Sequence, residues 1–454
     1  MSSTTSEPRP DFGPEPGRSE GLEPAHPLPE GEIEGTYDEW STREAGEPPL
    51  ESEFAKKKRL RGNRLVGLDA ARGIALFGMV AVHTLSAADA DGDLSLAWWL
   101  ASGKSAALFA VLGGVGLAFM GGRLRPPRGA DWGRAVLRQV IRAVIIVLIG
   151  LLLGQFVPNE DVWIILPYLG VMFAVASLLL PLRGRVLLPL GLLWAVGSPF
   201  LSHWLRIDNA VRVDQNLTFG SFLTTPGEDV NLLLLSGAFP VLTWLSYIMI
   251  GMGLGRAQLA ARRTAAYTVA GGLILTLVAA VATWVLVVPF GVRSQIASVV
   301  MGRMPLETYT DYLVFGGDGT LPTDTWWWLG VNAPHTATPL DLLYTAGIAM
   351  AIIGACLVIA QVTGSKMSLL AVPGSMTLTL YSLHVVLVEL IGGLPDMAHF
   401  LAQVVILTVF ALAWSRVAKR GPLETSLSWL TKSLVPHPHE KKARSDAEER
   451  WSAR

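Results

Sequence analysis

Apolar runs of about twenty residues recur along the chain, each bounded by short polar or charged stretches. A helix needs about twenty such residues to cross a hydrocarbon core of about 30 Å. Ten segments meet that length, at about 65–86, 94–120, 134–156, 162–181, 185–204, 230–255, 265–288, 339–361, 368–393 and 398–417. The pattern predicts an all-α polytopic membrane protein with about 10 transmembrane helices. Two connections, 205–229 and 289–338, are long and show no obvious secondary structure, which marks them as functional or disordered. After the last span, GPLETSLSWLTKSL reads as a short amphipathic helix on the inner surface.

Charge adds direction to this picture. Hydrophobic residues make up 51% of the chain and charged residues 16%, against about 25% charged in soluble domains. The cluster Lys56, Lys57, Lys58, Arg59, Arg61 and Arg64 precedes the first span and holds that flank in the cytoplasm. Alternate connections repeat the bias, with Arg123, Arg125 and Arg128, then Arg183 and Arg185, then Arg256, Arg262 and Arg263, then Lys366. The short connections between them carry Asp89, Asp91 and Asp93, then Glu160 and Asp161, then Asp396, without Lys or Arg. Both the N- and C-termini are therefore expected in the cytoplasm, in a multi-pass protein of the plasma membrane.

Residues 1–55 are Pro-rich, acidic and poor in aromatics, too polar to offset the entropy of ordering, so they read as a disordered cytoplasmic tail. They hold no signal-peptide core. Residues 56–420 form the transmembrane domain, and 421–454 the amphipathic segment and a disordered charged end. A net charge of −1 gives no reason to expect nucleic acid as a partner. The single Cys356 excludes an intramolecular disulfide and argues against a Cys-based metal site.

Candidate chemistry comes from ionisable residues inside the spans, where each costs about 2.5–3.5 kcal/mol on insertion scales. Asp69, Arg72 and His83 fall on one stripe of the first helix, with Arg72 and His83 about 16 Å apart along its axis. Lys104 sits between Gly103 and Ser105 within the second span, and Thr377, Tyr381 and His384 share one face of the ninth. His335 precedes the eighth span. The predicted topology brings His83, Lys104, His335 and His384 to one level in the outer half, above Arg72. Each also has a structural reading. Arg72 pairs with Asp69 or snorkels, His83 is interfacial, His335 and His384 are structural, Lys104 sits in an ion pair, and the run Trp326–Trp328 is an interface belt rather than a sugar platform.

The residues also resemble a known group. The opening GLDAARGIALFGMVAVH, followed by KSAALFAVLGGVGLAFMGG, is similar to the start of YeiB-type proteins and the heparan-alpha-glucosaminide N-acetyltransferase-like membrane family. GAFPVLTWLSYIMIGMGLGR, PHTATPLDLLYTAGIAMAIIGACL, GSMTLTLYSLHVV and the terminal GPLE continue the likeness over nearly all of residues 60–434. The spacing of Arg72 and His83 is similar to that of the type-three membrane acyltransferases of the same superfamily. The resemblance implies transfer of an acyl group, acetyl above all, from cytoplasmic acyl-CoA to a sugar or envelope glycan facing outward. Acyl-CoA would then be a co-substrate, with no permanently bound cofactor. His83, His335 and Lys104 are the catalytic candidates. Arg72 and Asp69 are the donor-binding candidates, and Tyr381, His384 and Trp327 those for the acceptor. One departure stands out, since the heparan-modifying enzyme carries its catalytic histidine after the first span, whereas residues 87–95 here hold none. His83 or His335 must replace it. Buried charges and histidines also suit a secondary transporter or exporter of a small molecule or lipid-linked sugar, and a scaffold that has lost activity would keep the same fold.

Overall fold

In hydrocarbon a backbone can satisfy its N–H and C=O groups only within its own segment, so the apolar runs fold as helices. The computed structural model describes residues 50–157, 162–207, 216–316 and 319–436. Most of the acidic tail, the charged end after Pro436, and Glu160, Asp161, Asp208, Asp214 and Asp318 lie outside the described residues. Among the described residues the protein is helical, with no β-strand. The first helices are α1 (Leu50–Thr84), α2 (Leu96–Ala101), α3 (Lys104–Met120), α4 (Ala130–Gly154), α5 (Leu166–Ser177) and α6 (Gly184–Arg206). Next come α7 (Phe219–Thr224), α8 (Pro226–Asn231), α9 (Val241–Gly255), α10 (Arg262–Val287), α11 (Val292–Val300) and α12 (Leu306–Val314). The last are α13 (Pro339–Thr363), α14 (Ser368–Gly374), α15 (Thr377–Ile391), α16 (Asp396–Ser415) and α17 (Pro422–Leu434).

Among the described residues seven helices are long and apolar enough to cross a membrane, or nine when each of two bent pairs counts as one span. Three expected spans are thus not straight, full-length helices. The fourth is helical only over the 12 residues of α5, about 18 Å of rise. The sixth bends by 49° between Ser236 and Val241, and the ninth by 85° between α14 and α15. The long connections are also more ordered than their composition suggests. The 205–229 stretch contains α7 and the start of α8, with Thr218 and Ser221 forming a reciprocal cap on α7. The 289–338 stretch contains α11, α12 and the 3₁₀ turn Trp326–Gly330, which close a small separate core around Ile296, Tyr309 and Trp328.

The main core lies between α3, α5 and α9, where Leu112, Met172, Trp244 and Tyr247 are fully buried. α3 and α9 cross at Gly114 and Gly251, and a Cβ on Gly114 would run into the Ile248 carbonyl. Close helix approach through small residues is how membrane helices gain packing where no hydrophobic driving force separates them from lipid. This crossing fixes the ends of α3 and α9, and both ends border pockets.

Candidate active site

A cavity of about 840 Å³ opens where α1, α3, α5, α12 and α15 converge. Met79 and His83 line it from α1, Gly103 and Ser105 from the start of α3, and Trp163 and Ile165 from the segment before α5. Phe239 and His335 come from connections, Tyr381 from α15, and Thr308, Asp311 and Tyr312 from α12. The walls are mostly apolar and aromatic, with a few polar groups converging, as in small-molecule sites generally.

His83 ends the first span one residue before the helix stops at Thr84. Its Nδ1 lies 2.9 Å from Nε2 of His384 on α15. The two rings are within 5° of parallel with centroids 5.2 Å apart, which fits end-to-end imidazoles joined by that hydrogen bond rather than a face-to-face stack. Nδ1 of His384 donates to Oε1 of Gln403 at 2.6 Å. Gln403 belongs to α16, and on that helix its Nε2 lies 2.8 Å from Nε2 of His399. His384, Gln403 and His399 are buried. His384 therefore stands behind His83 and outside the cavity wall.

His335 belongs to a segment held in an uncommon shape. Its φ is 59° and that of Ala337 is 51°, left-handed values that cost side chains with a Cβ about 1–2 kcal/mol. Asp341 holds the turn by accepting from the Ala337 N–H at 3.0 Å, and Thr338 anchors it by donating to the Val331 carbonyl at 2.6 Å. Outliers of this kind cluster at functional sites. Nε2 of His335 accepts from the Gly103 N–H at 3.2 Å, which puts the ring proton on Nδ1, buried without a partner. Trp163, Phe239 and Trp244 surround the ring. Burial, with the positive charge of Lys104 added, pushes this imidazole down to about 4, so it is neutral at physiological pH.

The other candidates separate. Tyr381 is fully buried, and its hydroxyl accepts from the Ile165 N–H at 3.3 Å, leaving its own hydrogen to donate. Lys104 is absent from the cavity wall, and its ammonium caps α2 by donating to the Trp99 carbonyl at 2.6 Å. Arg72 pairs with Asp69 at 2.7 Å, with a quarter of each side chain exposed, and neither lines the cavity. The tryptophan run is split. Trp328 fills the small outer core, Trp326 packs on Phe200 and His203, and Trp327 is 39% exposed, so none reaches the cavity. Sequence reasoning missed His399 and Gln403. Their signal is a polar pair four residues apart on one face of an otherwise apolar span.

A second pocket, of about 640 Å³, is lined by Arg123, Arg128, Arg183, Arg185 and Arg256, with no carboxylate in its wall. It lies at the opposite end of the bundle, because α3 starts at the cavity and ends before Arg123, and α9 follows Phe239 and ends before Arg256. Arg256 donates to the Arg123 carbonyl at 2.6 Å and to the Leu180 carbonyl, while its Nε is buried without a partner. Among the described residues no group of three or more His, Cys, Asp or Glu side chains could hold a metal ion.

No curated protein matches the chain. The family described as heparan-alpha-glucosaminide N-acetyltransferase, catalytic, matches residues 64–290. The matched half contains Asp69, Arg72, His83 and Lys104 and ends before His335, Tyr381 and His384. With its apolar helices, its histidine-lined cavity and that match, the chain is a multi-pass membrane protein belonging to the heparan-alpha-glucosaminide N-acetyltransferase catalytic family.

Proposed function

We propose that this protein transfers an acyl group, acetyl in the first instance, from cytoplasmic acyl-CoA to a hydroxyl or amine of a sugar on the outer face of the plasma membrane. The observation that carries this reading is His83, whose ring faces a roomy cavity while its Nδ1 is tied to His384. Only Nε2 is then available to the cavity, which is the arrangement a general base requires. The acceptor's O–H or N–H gives its proton to Nε2 as the oxygen or nitrogen attacks the thioester carbon. The tetrahedral intermediate collapses by breaking the C–S bond, and the leaving thiolate takes the proton back from His83. Tyr381, which lines the cavity and keeps its hydroxyl hydrogen to donate, would stabilise the developing oxyanion, a contribution of about 3–4 kcal/mol in studied enzymes.

The five-arginine pocket at the other end suits the phosphates of a CoA donor, since guanidinium groups bind phosphate oxygens in paired hydrogen bonds. Arg72, between the two ends, would steer the donor while its charge is shared with Asp69. Aromatic walls supplied by Trp98, Trp163, Tyr312 and Phe315, with Asp311 among them, suit a sugar ring better than the outlying Trp327. The arginine-rich connections support a cytoplasmic position for this end and for both termini. Residues 56–420 would then be the transferase domain, crossing the membrane ten times if α5 and both bent pairs count, with 421–454 as a cytoplasmic appendage.

The test is incubation of purified protein with labelled acetyl-CoA and glucosamine, following CoA release and sugar labelling. His83→Gln keeps a hydrogen-bonding side chain that cannot take up a proton near neutrality. It is expected to lower transfer at least about 100-fold, the usual worth of a general base, while the protein stays folded. Transfer by the Gln variant at the unaltered rate would overturn the assignment.

A further inference from the structure

A base at His83 does not by itself account for the three polar side chains buried in line behind it. His384 and Gln403 are fully buried and His399 nearly so, and burying unpaired polar groups among membrane helices is costly. All three lie outside residues 64–290, the stretch that matches the family.

The hydrogen bonds have a direction. A neutral imidazole has one N–H and one lone pair, whereas an amide has an oxygen that only accepts and a nitrogen that only donates. Oε1 of Gln403 stands 2.6 Å from Nδ1 of His384, so that nitrogen carries the proton and Nε2 of His384 carries the lone pair. Nδ1 of His83 is 2.9 Å from that lone pair and must donate to it. Nε2 of His83 is left as the lone pair on the cavity side. At the other end the Gln403 amide nitrogen stands 2.8 Å from Nε2 of His399, so with the amide this way round it donates to a lone pair on that nitrogen. Reversing the amide would reverse every bond and leave an N–H, not a lone pair, facing the cavity.

We infer that Gln403, oriented by His399, is a positioning residue that holds His384 and His83 in the one tautomer pair in which His83 can act as a base. A carboxylate does this work in serine proteases, where replacing it by its amide traps the wrong tautomer and costs about 10⁴ in kcat. Here the orienting group is neutral, which avoids placing an unpaired anion among membrane helices. An amide also does not relay a proton onward, so the proton taken by His83 is shared with His384 and goes no further.

The inference rests on the reading of His83 as a base, but its test needs no substrate. Diethyl pyrocarbonate acylates the lone-pair nitrogen of exposed histidine, and peptide mass spectrometry reads its rate at His83. The purified full chain is expected to label quickly at His83. Gln403→Met, which fills the space without either hydrogen bond, should slow that labelling about twofold as the two tautomer pairs become equally populated. Gln403→Glu keeps the oxygen that accepts from His384 and should restore fast labelling. His399→Ala, which frees the amide to turn over, should fall between. Fast labelling in a folded Gln403→Met protein, or slow labelling in both Gln403 variants, would overturn the proposal. If Gln403→Met does not fold, the contrast of Gln403→Glu with His399→Ala carries the same information, with equal rates in the two overturning it. Intact labelling behaviour in a protein that releases no CoA would leave this inference standing and remove the acyltransferase reading.

Discussion

At the scale of single residues, His335 shows how burial becomes pH dependence. Its folded-state value of about 4 lies below the ordinary 6.5. The unfolded chain therefore binds more protons than the folded protein between those two pH values. The stability that this neutral ring represents is complete above about pH 6.5 and is lost as pH falls towards 4, a change of about 3 kcal/mol. His335→Asn removes the titration, and asparagine tolerates the left-handed backbone found there. Thermal unfolding in detergent should then show a smaller drop in midpoint between pH 7 and pH 5 than the unaltered protein shows. An identical drop in both would mean that His335 is not the group being titrated.

At the scale of elements, the 85° break before α15 needs explaining, because α15 carries both Tyr381 and His384. Ahead of the break, Gly374 lies against the Asp69 carbonyl, so α14 is wedged beside α1. Past the break, the exposed N–H groups of α15 are met by Glu424 from α17. Its carboxylate accepts from the backbone of Leu378 at 2.7 Å and Thr379 at 3.2 Å, and from the Thr379 hydroxyl at 2.6 Å. A negative charge at a helix N-terminus is stabilising, and losing such a cap costs about 0.5–2 kcal/mol. Glu424→Ala should lower the unfolding midpoint and reduce His83 labelling by loosening α15, and Glu424→Gln should do half as much. Unchanged values in the Ala variant would make α17 a passenger. None of this bend was legible in the sequence, where 368–393 is one apolar run. Hydropathy reports how much of a segment is apolar and not whether it is straight. The Arg72-to-His83 spacing did mark a polar stripe on α1, but spacing on one helix cannot say which neighbouring helix meets it. The partners Gln403 and His399 come from α16, about 320 positions further along the chain, and only the packing of α1, α15 and α16 brings them into line.

At the scale of the whole molecule, two pockets of different chemistry occupy opposite ends of one bundle, and the function proposed here depends on which end faces the cytoplasm. The arginine pocket gathers Arg123, Arg183 and Arg256 from three separate connections. Cationic residues in short connections are retained on the cytoplasmic side during insertion, so on the proposed reading the residues that would bind an anionic donor are also those that would orient the protein towards it. The single cysteine, Cys356, is buried on α13, which leaves a quiet background for single-cysteine labelling. Replacing Arg185 by Cys puts a thiol beside the arginine pocket, and replacing Asp324 by Cys puts one just before the Trp326–Gly330 turn, on the cavity side of the molecule. In intact cells a membrane-impermeant maleimide should label the second and spare the first, and in inside-out vesicles the pattern should invert. Labelling of the Asp324 position only from the cytoplasmic side would put the cavity and the donor's phosphates on the wrong faces, and transfer from cytoplasmic acyl-CoA to an outward sugar would fail even with His83 intact.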